Sequence, residues 1–343
     1  MPSSAEAPST SFTSSTPPEA SFSTLSPSEL TLESLERVLP ALNASGEVEE
    51  QLRNLASYRT PVEAEGQPRL SEIPRNRLAS VLVLLHLSRD GRRLCATLTT
   101  RSQKLRSHPG ETALPGGKFE PLEDRSIEQT ALREANEEIS LPLPAPTQTN
   151  SSTPASDHLL HLTNLSPYTS RTLLLVVPCI YLLLLPPDEA SDWLARELEP
   201  SPEEVDAIFT CDLTDLLLLP ESAPPSSRDR DPYVYSHTDY SWPLSPTTTY
   251  RLHSFSSPSF GSSITGLTAD ILIDTASIAV FGAQRGLDEQ ERLGYERRAE
   301  GQASWREICE RALRIERGKK DPGRGVEVAN GNATREVGLG EKR

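Results

Sequence analysis

Strand-like and helix-like segments alternate irregularly along this chain of 343 residues, which predicts a mixed α/β fold with a few helices packed on sheets. Three segments carry that expectation. Residues 77–87 are a continuous apolar run that suits a buried strand, and the turn Arg89-Asp90-Gly91 leads from it into a second strand over 93–100. Residues 126–139 have helical spacing, with Asp124 or Ser126 as the cap and Ser140 and Pro142 as the stop. Residues 267–281 form an apolar helix.

Taken in order, residues 1–28 are Ser, Thr, Pro, Ala and Glu with little else. They have too little apolar surface to order themselves, so they are expected to be a disordered tail. Leu30, Leu32, Leu35, Val38 and Leu39 recur at helical spacing, and Leu52 and Leu55 add a second short stretch, so 29–69 is a helical segment. A single domain is expected over 70–285, with polar Pro-rich insertions at about 143–157 and 220–248. Within it, 109–117 is a loop punctuated by Pro and Gly, and 173–185 is another buried strand in which Pro178 implies an edge or a bulge. Residues 203–219 read as a strand followed by a short helical turn. The remainder, 286–343, is charged: a helix from about Leu287 to Arg317, then a flexible tail.

The bulk numbers exclude several functions. With 34 basic and 49 acidic residues the net charge is −15, which disfavours general nucleic-acid binding, a process driven by phosphate neutralisation. Cys95, Cys179, Cys211 and Cys309 lie far apart without a CxxC pair, so neither a zinc site nor a disulfide framework is expected. No stretch is long enough for a membrane helix, and the first basic residue is Arg37, which fits no secretory or mitochondrial leader. The C-terminal Gly340-Glu341-Lys342-Arg343 is no peroxisomal tripeptide. The expectation is a soluble intracellular protein, cytoplasmic unless carried to the peroxisome or mitochondrion without a recognisable signal. The oligomeric state is open.

The chemistry concentrates in residues 98–141. Glu134, Glu137 and Glu138 stand at i, i+3 and i+4, which places three carboxylates on one helical face. A solvated acidic face accounts for such spacing by itself. The context argues otherwise. Leu114-Pro115-Gly116-Gly117 lets backbone approach a ligand closely, and Arg133 precedes the acids. Crowded carboxylates suit a hard divalent cation such as Mg²⁺ or Mn²⁺. Between residues 101 and 118, Arg101, Lys104, Arg106 and Lys118 outnumber the one acid, Glu111, with His108 besides. A basic stretch beside an acidic cluster suits a polyanion handled with a metal. His86, within an apolar run, is expected to be structural.

Gly117, Glu123, Arg133, Glu134, Ala135, Glu137, Glu138 and Leu141 resemble the Nudix box, the signature of hydrolases of nucleoside diphosphates linked to another group. The sequence departs from that pattern twice: nine residues rather than seven separate Glu123 from Arg133, and Ser140 replaces a glycine. Leu98, Thr99, Arg101, Ser102, Arg106, Gly110, Pro115, Gly116 and Gly117 are similar to the further signature of the coenzyme A diphosphatase branch, with Thr97 and Leu114 as departures. Pro202-Glu203-Glu204-Val205 and Ile264-Thr265-Gly266-Leu267-Thr268-Ala269 echo two later blocks of that branch.

The resemblance implies an α/β/α sandwich around a mixed sheet. It implies hydrolysis of coenzyme A or a derivative to 3′,5′-ADP and 4′-phosphopantetheine, with Mg²⁺ or Mn²⁺ held by Glu134, Glu137 and Glu138. In that reading Arg133 orients the glutamates and Glu203 or Glu204, with Glu204 preferred, supplies a further acid. Arg101, Lys104, Arg106, Gly116, Gly117 and Lys118 meet the substrate, a small molecule rather than a nucleic acid or a membrane. Two alternatives stand beside it: a Nudix hydrolase of ADP-ribose or a dinucleotide, and a catalytically silent binding module.

Overall fold

The computed structural model describes residues 27–60, 73–143, 158–217, 233–242, 245–258, 260–282 and 293–320. The expected N-terminal tail as far as residue 26, residues 144–157 of the first insertion, and residues 220–232 and 243–244 of the second lie outside them. The chain opens with helices α1 (Pro27–Leu42) and α2 (Gly46–Ser57), joined by a short turn. Ser45 caps α2, its hydroxyl accepting the Val48 amide.

Strand β1 (Leu78–Leu87) is the centre of the molecule. It pairs antiparallel with β2 (Leu94–Arg101) and with the short β4 (Gly116–Lys118), and parallel with β7 (Leu175–Leu183), so the sheet is mixed. β3 (Thr112–Ala113) and β8 (Val205–Asp212) pair with β2, while β5 (Leu159–Asn164) and β6 (Tyr168–Thr169) pair with β7. A strand buried on both faces favours apolar residues at nearly every position, and the β1 sequence LASVLVLLHL supplies them at all but Ser80 and His86.

The period-two alternation of β1 divides the core. Val83, Leu85 and Leu87 pack with α1, α2 and α5 (Gly266–Phe281) on one face. Leu82 and Leu84 pack with α3 (Ile127–Ile139) and α4 (Pro187–Glu197) on the other. The architecture is therefore an α/β/α sandwich around a mixed sheet, as the resemblance implied.

Pro178 requires a correction. It lies within β7, which has partners along both sides rather than at a sheet edge. The missing N–H is tolerated because one partner changes there: β5 pairs down to Cys179 and β6 resumes at Val176. The Pro178 carbonyl accepts the Leu165 amide from the intervening connection.

The described part of the segment expected as a polar insertion over 220–248 is strand. β9 (Val234–Trp242) and β10 (Ser245–Ser256) form a long hairpin, extended by β11 (Ile264–Thr265) into a second sheet. Of the C-terminal helix expected from about Leu287 to Arg317, residues 287–292 lie outside the described residues, residues 293–304 are not helical, and the helix observed is α6 (Trp305–Lys320). Ile308, Cys309, Ala312 and Leu313 of α6 are buried, because alternate turns of a charged helix still present one apolar stripe. All four cysteines are free and buried. His86 is buried, its Nδ1 against the Leu87 carbonyl at 3.1 Å, and burial lowers its pKa to about 4. Among the described residues no helix is long and apolar enough to cross a membrane.

Candidate active site

Strand β4, helix α3 and the facing ends of β2 and β8 meet beside the N-terminal half of β1. β4 lies on β1 with Gly117 opposite Ser80 and Gly116 opposite Val81. A Cβ on Gly116 would strike the Ser80 carbonyl and come within 2.7 Å of the Val81 Cα, so only glycine lets these backbones close up. A Cβ on Gly117 would stand where the Glu134 carboxylate now sits. The double glycine thus seats β4 and leaves room for an acid of α3.

Helix α3 begins at Ser126, whose hydroxyl accepts the Gln129 amide at 3.2 Å. Of the two expected caps it is Ser126 that serves. Asp124 has a different task. Its side chain is wholly buried, and its two oxygens take Nε and Nη2 of Arg133, each at 3.0 Å. The same carboxylate accepts the Glu120 amide and the Thr130 hydroxyl, at 2.8 and 2.9 Å. Burial opposes the charge on Asp124, but these donors hold its pKa below the ordinary value, and the same pairing raises that of Arg133. Glu123, the acid expected by motif spacing, is largely exposed and stands 3.9 Å from Arg133. The nearer match is the acid one position later, which also takes up half of the spacing discrepancy.

Arg133 bridges three parts of the site. Its Nη2 donates to the Lys118 carbonyl at 3.1 Å and lies 3.0 Å from Glu134 Oε1, while Nη1 donates to Glu137 at 3.0 Å. Glu134 is half-buried, Glu138 is buried and Glu137 is exposed. Burial pushes the Glu138 carboxyl up to about 8; Arg101 opposes that shift, and Glu134 and Glu204 add to it. The Gly116 amide also bonds Glu138 and favours its charge. Glu134 is raised as well, by burial first, against Arg133 and with Glu137 and Glu204. Glu204 therefore belongs to the same electrostatic group as Glu134 and Glu138.

Backbone contacts explain how residues so distant in sequence come together. Ser201 N donates to the Glu138 carbonyl at 2.8 Å, joining the end of α3 to the turn before β8. Ser102 N donates to the Glu204 carbonyl at 2.8 Å, and Gln103 N to Asp206 Oδ2 at 3.0 Å. The β2–β8 register shifts here, from Thr100 opposite Ala207 to Arg101 opposite Val205, so Asp206 is the extra residue of a bulge. That bulge swings the Pro202–Glu204 turn toward β2. Lys104 Nζ, expected to meet substrate, lies 3.2 Å from both the Pro202 carbonyl and Glu203 Oε1. Arg101 is half-buried against the acids, while Arg106 and Lys118 are exposed.

A further tie was not expected from sequence. Thr112 Oγ1 bonds Ser262 at its hydroxyl and its carbonyl, and Thr268 Oγ1 donates to the Thr112 carbonyl. The block 264–269 thereby supports the loop that carries the basic residues.

Among the described residues no three Asp, Glu, His or Cys side chains converge closely enough to hold a metal ion as they stand; Glu134 and Glu137 are engaged by Arg133 instead. The donor chemistry nevertheless fits a hard divalent cation. Glu134, Glu137 and Glu138 are oxygen donors beside a further acid, Glu204; Glu134 is repelled by Glu137 and Glu204, and Glu138 by Glu134 and Glu204, and a cation among the three helix acids relieves that repulsion.

Residues 76–232 match the family model described as NUDIX domain. The chain is 34% identical over 202 residues to Nudix hydrolase 15, mitochondrial, of Arabidopsis thaliana, covering 58% of this chain and 58% of that one. It is 36% identical over 110 residues to the peroxisomal coenzyme A diphosphatase ndx-8 of Caenorhabditis elegans, covering 32% of this chain and 41% of that one. It thus spans about half the length of these curated relatives. A crystal structure of a MutT/nudix family protein from Enterococcus faecalis aligns at 16% identity over 73% of this chain and 77% of that one, with a TM-score of 0.30.

Proposed function

The chain carries a Nudix domain, and from that premise we propose that it is a metal-dependent diphosphatase that hydrolyses coenzyme A, or an acyl or oxidised derivative, to 3′,5′-ADP and 4′-phosphopantetheine. One observation carries the reading furthest. The interlocked ends of β2 and β8 set Arg101, the first residue of the basic stretch, against the acid Glu138, which also feels Glu134 and Glu204. A diphosphate with an additional phosphate needs both: acids to hold a cation, and arginine and lysine to meet the anionic groups the cation does not reach. The relative named a coenzyme A diphosphatase supports the choice of substrate.

Glu134, Glu137 and Glu138 would hold the Mg²⁺ or Mn²⁺, which when bound neutralises diphosphate charge and acidifies water. The chain's own residues have separable roles. Arg133, fixed by Asp124, orients Glu134 and Glu137. Glu204, beside Glu134 and Glu138, takes the proton from the attacking water. Gly116 and Gly117 admit the substrate close to the backbone, Arg101 and Lys104 hold the diphosphate side, and Arg106 and Lys118 meet the outer phosphate.

The deciding experiment assays the purified full chain against coenzyme A, dephospho-coenzyme A and ADP-ribose with Mg²⁺ and with Mn²⁺. Losing one charge-assisted bond costs about 1.5–3 kcal/mol, so coenzyme A is expected to exceed dephospho-coenzyme A in kcat/KM by about tenfold to a hundredfold. Equal values would remove the role given to the basic stretch. Faster turnover of ADP-ribose would move the protein to another substrate class, and no turnover of any would make it a binding module.

A further inference from the structure

Strand β9 is the outer strand of the second sheet: among the described residues it pairs with β10, and nothing pairs along its other side. Such an edge presents a row of N–H and C=O groups ready to pair with another strand. Proteins blunt long edges with lysine, proline, bulges or shortness. β9 runs for nine residues, its sequence VYSHTDYSW contains neither lysine nor proline, its one acid, Asp239, is taken up by Arg251 of β10, and the irregularity of its pairing lies at the hairpin tip, between Ser245 and Thr249. Residues 236–241 are exposed. Two of the four large apolar side chains left exposed among the described residues stand on this strand, Val234 and Tyr240.

We propose that this edge is covered by a second copy of the chain, with β9 pairing antiparallel to its counterpart about a twofold axis through Thr238. The sequence selects that register. An axis through a residue keeps outward-pointing backbone groups facing outward-pointing ones, whereas an axis between residues does not. With the axis at Thr238, His237 stands opposite the partner's Asp239 and Asp239 opposite the partner's His237, so the acid–imidazole pairing occurs twice. Thr238 meets the partner's Thr238, and Tyr240 meets the partner's Ser236. Arg251 holds both oxygens of Asp239, at 2.7 and 2.8 Å, so the partner's imidazole adds a hydrogen bond to an already oriented carboxylate, and Thr–Thr pairs are among the favourable cross-strand neighbours. Moving the axis to His237 sets imidazole against imidazole, and moving it to Asp239 sets carboxylate against carboxylate. A single strand pair is a small interface, so the association is expected to be weak and reversible.

Sedimentation velocity of the full chain between about 1 and 100 µM tests this, with a monomer–dimer equilibrium whose Kd is on the order of 10 µM as the expected result. Thr238→Lys sets two like charges against each other at the axis and should raise that Kd by about tenfold or more. Thr238→Cys should form an interchain disulfide under mild oxidation. Ser236→Cys should not, because it would lie about 13 Å from its own counterpart, beyond disulfide reach. The four native cysteines are buried and do not confuse the assay. Thr238 and Ser236 are exposed, and unchanged circular dichroism and melting would verify that each variant folds. A monomer up to 100 µM, a dimer indifferent to Thr238→Lys, or equal cross-linking at both positions would each overturn the proposal.

Discussion

Gly116 and Gly117 are adjacent and identical in type, yet they answer to different neighbours, and that difference predicts different phenotypes. The obstacle at Gly116 is backbone of β1, which cannot swing aside, whereas at Gly117 it is the end of the Glu134 side chain, which can. Gly116→Ala is expected to lose about 2–3 kcal/mol of stability in urea unfolding, in the range of overpacking. Gly117→Ala should fold almost normally but turn over substrate at least about tenfold more slowly, because Glu134 is displaced. If both variants lost only stability, the role given to Glu134 would be wrong. Glu138→Gln keeps the shape of the side chain and removes the carboxylate that a bound cation would hold ionised, so a drop in kcat of roughly a hundredfold with an unchanged melting curve is expected. Near-normal turnover that still requires metal would remove Glu138 from the ligand set.

Helix α3 shows how an element is ended by geometry rather than by residue type. Ser140, where the family pattern has glycine, sits at φ 56° and ψ 26°, in the left-handed region. Its amide reaches the Asn136 carbonyl at 3.0 Å, the single closing bond of an αL cap, and the Leu141 amide reaches the Ala135 carbonyl at 3.3 Å. The left-handed conformation costs a non-glycine residue roughly 1–2 kcal/mol, and a glycine returns part of that through its freer unfolded state. Ser140→Gly is therefore expected to raise unfolding stability by about 0.5–1 kcal/mol with kcat unchanged, read from paired urea melts. A loss of stability would mean that the serine makes a compensating contact. Pro178 teaches the same lesson from the other side: the residue type suggested an edge or a bulge, and a change of partner strand, beside a register shift in the β5–β7 pairing, let it sit inside the sheet.

The C-terminal segment is bound to the fold by a buried ionic network rather than hung from it. Arg297 enters the core and meets Asp270 at 2.6 Å and Asp274 at 2.9 Å, while Tyr250 donates to Asp270 and Tyr168 to Asp274. His253 Nε2 lies 2.9 Å from the Arg297 carbonyl. Removing one partner of such a cluster strands the other charges in the interior, so Arg297→Met is expected to cost about 3–5 kcal/mol in chemical denaturation; less than about 1 kcal/mol would show that the segment docks by apolar contact alone. The same network gives a pH signature. Burial first, then Arg297, lowers His253 to about 3, below its unfolded value. Between roughly pH 6.5 and that value the unfolded chain binds the extra proton, so stability attached to His253 is complete above pH 6.5 and falls on acidification by up to about 1.4 kcal/mol per pH unit. His253→Gln should flatten the pH dependence of unfolding between pH 7 and 5 by about that slope, and an unaltered slope would refute the assignment.

Period and local chemistry made much of this protein legible from its residues. The apolar run of β1, the hairpin into β2, the helix with three acids on one face, and the apolar helix α5 each follow from neighbours in sequence, because strand and helix periods are local properties. The acids and the basic stretch were legible for the same reason. Contacts between segments were not. That Asp124 rather than Glu123 holds Arg133 depends on which carboxylate the turn before α3 buries. That Glu204 joins Glu134 and Glu138, which the family resemblance suggested but no local pattern showed, depends on a bulge at Asp206 and on hydrogen bonds spanning from β2 and α3 to β8. The hairpin of β9 and β10 was hidden by its polar composition, since a strand lying largely exposed carries little of the apolar signal that reveals strands. Sequence decides what each segment can be; which side chains share one small volume is decided by long-range backbone pairing and by what folding buries.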